Sequence, residues 1–128
     1  MTVLLDTCTF LRLITGSARL SATARRTCQD PANTIYLSAV SSLEIMVKQS
    51  LGRLALPQAS KDYIKVQLER HGIEMLSLDE SAVLNESRLP WIHGDPFNRM
   101  LLCQAIELGC PILTLDEKIS QCPVRIIW

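Results

Sequence analysis

Apolar positions along this chain alternate between short unbroken runs and longer stretches of helical period. Thr2-Val3-Leu4-Leu5 is the first run. Nothing polar interrupts it, so it reads as a strand buried on both faces, and it stops at Asp6. A helix is expected over 7–14 and is broken by Thr15-Gly16-Ser17; a second runs from Ser21 to Asp30, with Arg25 and Arg26 on a solvated face, and closes at Asp30-Pro31-Ala32-Asn33. Thr34-Ile35-Tyr36-Leu37, β-branched and aromatic, reads as a second strand. Ser38, Ser41 or Ser42 caps the helix that follows, which runs to about Leu51 before Gly52. Another helix spans Ser60 to His71 and ends at Gly72, Ile73 to Leu76 forms a third strand, and a helix starts at Ser77 or Asp79 and reaches about Arg88. After a loop over 89–94, Asp95-Pro96 opens the longest helical pattern, closed by Gly109; proline suits a first helical position. Ile112-Leu113-Thr114-Leu115 reads as a fourth strand ending at Asp116, and Val124 to Ile127 as a short last one.

Strands alternating with helices predict an α/β fold, with a parallel sheet of about five strands, right-handed connections and helices on both faces. With 128 residues and no internal repeat, one domain over 1–128 is expected. Asp6 and Asp116 each end an apolar strand, and Glu44 falls in the first turns of a helix just past a third strand. The carboxyl edge of an open parallel sheet is where ligands bind, so three acids converge where a site is expected. Crowded carboxylates repel, and a fold accommodates them when a cation neutralises them; hard oxygen donors suit Mg²⁺ or Mn²⁺. Asp6 and Asp95 equally suit helix N-caps, a role that does not exclude the other. There is no His-x-x-x-His, cysteine cluster or glycine-rich phosphate loop, which argues against zinc, haem or a nucleotide cofactor. A haloacid-dehalogenase-like phosphatase needs a second aspartate where Cys8 stands, and a phosphoacceptor domain needs an adjacent acid pair where Thr7 stands.

Composition narrows the reading further. Hydrophobic residues make up 48% and charged residues 20%, which excludes a disordered chain. The formal net charge is zero, so any footprint for a nucleic acid must be local. Five cysteines, odd in number and without a Cys-x-x-Cys pair, read as reduced buried thiols. With no signal peptide and no run as long as a membrane span, the cytoplasm is the expected location and no membrane partner is expected. Around the acids, Lys48 lies four residues after Glu44 on the same helix face, and the Thr7 and Thr114 hydroxyls stand close enough to orient a carboxylate. Arg99 and Arg53 are weaker candidates for phosphate contact, Phe97 and Met100 read as core despite lying near Trp91 and the site, and His71 and His93 are not needed as bases.

Four pieces of the chain, in this order, resemble the PIN domain of bacterial type II toxins, the VapC-like ribonucleases. They are Leu-Leu-Asp6-Thr-Cys-Thr-Phe-Leu, Ser-Ser-Leu-Glu44-Ile-Met-Val-Lys48-Gln-Ser-Leu-Gly-Arg-Leu, His93-Gly-Asp95-Pro-Phe-Asn98-Arg99 and Leu-Thr114-Leu-Asp116-Glu. The resemblance implies a metal-dependent endoribonuclease toxin, a homodimer, neutralised by a small VapB-like antitoxin bound over its active site. It matches Asp6, Glu44 and Asp116 to three of the family's acids; Asp95, one helical turn before Asn98, can stand in for the fourth, so catalysis is expected of Asp6, Glu44, Asp95 and Asp116 and metal binding of these four with Asn98, with Thr7, Lys48 and Thr114 in support. Asn98 stands where close relatives carry an aspartate in an Asp-Pro-Phe-Asp-Arg run. It offers a neutral carbonyl oxygen but lacks the formal charge that would hold a second divalent ion. The alternative is a PIN-like protein-binding module weakened in catalysis by that exchange.

Overall fold

The structure, a computed structural model, describes residues 1–89 and 94–128. Trp91, His93 and most of the loop read over 89–94 lie outside the described residues. The first strand, β1 (Thr2–Leu5), is central: it pairs in parallel with β2 (Thr34–Ser38) through Val3 opposite Ile35, and with β4 (Ile112–Leu113) through Leu4 opposite Ile112. β3 (Glu74–Leu76) and β5 (Ile126–Ile127) complete a sheet ordered β3-β2-β1-β4-β5, parallel throughout.

Flanking β1, the strand order reverses direction. The chain moves outward from β1 to β2 and β3, then crosses back to start β4 on the opposite side. The carboxyl ends of β1 and β4 therefore bound a crevice of the kind that doubly wound sheets use for ligands. Asp6 follows β1 directly, which places it at that switch point.

Helices α1 (Thr7–Ile14) and α2 (Ala22–Gln29) connect β1 to β2, α3 (Ala39–Ser50) and α4 (Ser60–His71) connect β2 to β3, α5 (Glu80–Leu84) and α6 (Pro96–Leu108) lie before β4, and α7 (Glu117–Ser120) lies before β5. Alternation along β1 divides the core between the two faces. Val3 and Leu5 pack with Phe10, Leu13, Ala24, Ile45, Ile64 and Leu68 on one side. Leu4 packs with Leu101, Leu102, Ala105, Ile112 and Ile119 on the other. Gly72 and Gly109 end α4 and α6 at φ of 63° and 62°, a left-handed backbone that favours glycine. No helix among the described residues is long and apolar enough to cross a membrane.

Four sequence expectations need correction. The fourth strand stops at Leu113 rather than running to Asp116, because β5 is only two residues long and offers Leu115 no ladder to join; Leu115 is 52% exposed. The last strand starts at Ile126, not Val124, because its pairing begins opposite Ile112, the first residue of β4. The helix expected to reach Arg88 divides into α5, capped at Asn85, and a 3-10 turn over Glu86–Arg88, whose Glu86 side chain pairs with Arg99 on α6. Cys8 is exposed, not a buried thiol.

Phe10 is fully buried and packs α1, the helix that Asp6 caps, onto the sheet. Phe10→Ala is expected to lower the unfolding free energy by about 3–5 kcal/mol, read from urea denaturation.

Candidate active site

Each acid in the crevice is positioned by the start of a helix or by a neighbour on one. Asp6 is the N-cap of α1: Oδ1 accepts from the Thr9 backbone N–H at 2.7 Å, and Oδ2 accepts from the Thr114 hydroxyl. Thr114 Oγ1 in turn accepts from the Asp116 backbone N–H at 3.0 Å, so a single hydroxyl ties the ends of β1 and β4 together. Asp116 caps α7 through Oδ1, which accepts from the Lys118 N–H at 2.8 Å. Asp95 caps α6, with Oδ1 accepting from the Phe97 N–H at 2.9 Å. Backbone N–H groups at a helix start carry partial positive charge, so each of these side chains has backbone donors to satisfy its oxygens.

Glu44 lies on α3, buried, and its support is made of side chains. Thr7 Oγ1 donates to Oε1 at 2.7 Å and lies 3.0 Å from Ser41 Oγ, while Lys48 Nζ donates to Oε2 at 2.6 Å. The Lys48 side chain is 42% exposed and that of Glu44 6%, so the ammonium reaches in from the rim. Its hydrogen bond to Glu44 pushes the Lys48 pKa above the ordinary lysine value, against the opposing effect of partial burial, and the charges of Glu44 and Asp95 add to the rise. Asn98 directs its amide toward Asp95, Nδ2 donating to Oδ2 at 3.5 Å.

These groups line one cleft of about 360 Å³: Asp6, Thr7, Glu44, Lys48, Asp95, Asn98 and Asp116, joined by Cys8, Arg12 and Leu115. Thr114, Arg53 and Arg99, which the sequence also nominated, are absent from the cleft lining; Thr114 acts from behind, through Asp6 and Asp116. The donor set, carboxylates and a carboxamide, fits a hard divalent cation by type. Among the described residues no three His, Cys, Asp or Glu side chains close into a metal site, and the carboxylates are turned to protein donors. A carboxylate has about four acceptor sites and Asp6 uses two of them in the bonds above, so capping and ion binding are compatible there.

Sequence reasoning missed Cys8 and Arg12. They are four residues apart on α1, hence on one face, and that spacing was the available signal. Although the residue as a whole is exposed, the packed surroundings of its sulfur and then the charge of Asp6 raise the Cys8 pKa above the ordinary thiol value. Arg99, nominated for phosphate contact, is 2% exposed and turned inward: Nε donates to Glu86, and Nη2 donates to the Glu86 and Leu89 carbonyls at 3.1 and 3.3 Å. It fastens the 3-10 turn to α6. Phe97 and Met100 pack against the core as read.

Residues 3–124 match the PIN domain. The chain belongs to the PIN domain family. This PIN domain is 39% identical over 67 residues to Ribonuclease VapC16 of Mycobacterium tuberculosis (strain ATCC 25618 / H37Rv), a match covering 49% of the chain and 48% of that protein, so about half the length of the curated relative. Its fold is similar to the crystal structure of VapBC2 from Rickettsia felis bound to a DNA fragment from their promoter, with TM-score 0.75 and 13% identity over 100% of this chain and 99% of that one. It is also similar to VapBC-1 from nontypeable Haemophilus influenzae, with TM-score 0.70 and 19% identity over 99% and 97% of the chains. FitAcB from Neisseria gonorrhoeae follows at TM-score 0.61 and 16% identity, over 98% and 96%. At such identities the likeness is one of fold, and it covers the PIN domain from end to end.

The Lys48–Glu44 pair makes a pH prediction. A lysine pKa raised by folding contributes stability that is fully present below the ordinary lysine value and is lost as pH climbs through the higher folded value. Lys48→Met is therefore expected to melt below the unsubstituted protein at neutral pH, with the gap in thermal midpoint closing above about pH 10.5.

Proposed function

We propose that this PIN domain is a metal-dependent endoribonuclease, the toxin of a type II, VapBC-like toxin–antitoxin system. The observation that carries the reading is the convergence of Asp6, Glu44, Asp95 and Asp116, with Asn98, on one cleft at the switch point of the sheet. Similarity to Ribonuclease VapC16, and a fold like those found in VapBC complexes, support it.

In this reading Asp6, Glu44, Asp95, Asn98 and Asp116 would hold Mg²⁺ or Mn²⁺. Such an ion, when bound, lowers the pKa of a coordinated water and neutralises charge at the scissile phosphate. The chain's own contribution is placement. Thr114 fixes one oxygen of Asp6 and the backbone approach of Asp116, so those two carboxylates present defined faces to the cleft. Thr7 does the same for Glu44. Lys48 neutralises Glu44 before any cation arrives and lies within the cleft to meet a phosphate afterwards.

A VapB-like antitoxin is the proposed partner. Leu43, Met46, Val47 and Leu51 form an exposed apolar stripe on and just beyond the helix that carries Glu44, at the spacing of one helix face. A small protein lying there would also reach over the cleft. A homodimer, a cytoplasmic location and a single domain complete the proposal.

Cleavage of total cellular RNA tests it. Discrete bands in Mg²⁺ or Mn²⁺, abolished by EDTA and by Asp6→Asn or Asp116→Asn, are expected, and Thr114→Val is expected to lower metal affinity or rate about 10–100-fold. Asn98→Asp is expected to raise activity. Unchanged cleavage by Asp6→Asn would place the site elsewhere, and no cleavage even from Asn98→Asp would favour the protein-binding module.

A further inference from the structure

Among the described residues, the cations Lys48 and Arg12 line the cleft, and they are placed differently. Lys48 is committed to Glu44. Arg12, in the last turn of α1, makes no ion pair among the described residues although it shares the cleft with four carboxylates. Its guanidinium carbon lies 5.8 Å from the centroid of the Trp128 ring, a cation–π distance. Trp128 is itself packed against the core cluster beneath β1, alongside Leu11, Ile14 and Ile127, so the ring is an anchored surface. An arginine held on an aromatic face keeps its in-plane N–H donors directed outward, and that fork matches two oxygens of one phosphate. An ammonium would gain less from either partner.

We propose that Arg12, seated on Trp128, binds a backbone phosphate of the RNA flanking the scissile one, and that Trp128 is the positioning residue that keeps the guanidinium off the acids. The inference rests on the ribonuclease reading. It deepens that reading by assigning the cleft a phosphate subsite built from opposite ends of the chain. In a protein of zero net charge, a local cationic contact of this kind supplies the footprint that the overall charge does not.

The test is binding of a fluorescein-labelled single-stranded RNA oligonucleotide, followed by anisotropy in EDTA across a range of salt, with cleavage in Mg²⁺ measured in parallel. One phosphate contact on a single strand contributes about 0.7 to the slope of log affinity against log salt. Arg12→Gln is expected to weaken binding, to make that slope shallower by about 0.7 and to raise KM with little change in kcat. Arg12→Lys keeps the charge and is expected to keep the slope while losing affinity. Trp128→Leu is expected to weaken binding, and Trp128→Phe to restore most of it. An Arg12→Gln protein that folds, judged by circular dichroism, and keeps the parent slope and KM overturns the inference while leaving the nuclease reading intact. Failure of the parent protein to bind the oligonucleotide also overturns it. Arg12-dependent binding without any metal-dependent cleavage would sustain the phosphate subsite and sink the nuclease reading.

Discussion

Mutual repulsion among four carboxylates in one cleft is the constraint to which the rest of this molecule answers. Three of the four are aspartates, and each begins a helix: Asp6 before α1, Asp95 before α6 and Asp116 before α7. The N–H groups of a first helical turn favour an anion by about 0.3–1 kcal/mol each at an exposed site, and more when partly buried. The fold therefore distributes the negative charge over three helix starts rather than leaving it to solvent. Glu44 sits mid-helix, where no such N–H groups point at it, and it is the acid that takes a lysine and a threonine instead. The parallel topology brings these helix starts together, because every connection returns to the same edge of the sheet.

The same arrangement explains how a cation would be received. Lys48 neutralises Glu44 from the rim, on a flexible stem that can withdraw without disturbing the core. Position 98 sets the balance. Its carboxamide donates toward Asp95, an attraction that needs no ion. An aspartate there would face Asp95 as a like charge and would make the metal-free protein less stable and the metal-bound one more so. Asn98 thus moves the cleft toward neutrality, and the exchange bears on ion affinity before it bears on the reaction itself.

What could be read in the sequence was local. Val3-Leu4-Leu5 ending at Asp6 marked the central strand and its carboxylate, and Gly72 and Gly109 marked the ends of α4 and α6, because these signals need only neighbours in the chain. Asp6, Glu44 and Asp116 were legible as cleft residues, since a parallel α/β order dictates which edge they reach, whereas Asp95 and Asn98, which line the same cleft, were reached only through the family resemblance. What escaped was tertiary. The length of β4 depends on β5, a single-turn α7 leaves almost no periodic trace, and Arg99 looks like a surface cation until Glu86 is seen packed against it. Arg12 belongs with these cases, because its significance rests on Trp128 at the far end of the chain.

Mn²⁺ binding, followed by the paramagnetic resonance signal of the free ion, tests the central claim most directly: that this acidic cleft is a cation site whose resting counter-ion is Lys48. The account predicts that the unsubstituted protein depletes free Mn²⁺, that Lys48→Met depletes it at lower concentration, and that Asp6→Asn does not deplete it. A free-ion signal untouched by the unsubstituted protein, or depleted equally by Asp6→Asn, would contradict it.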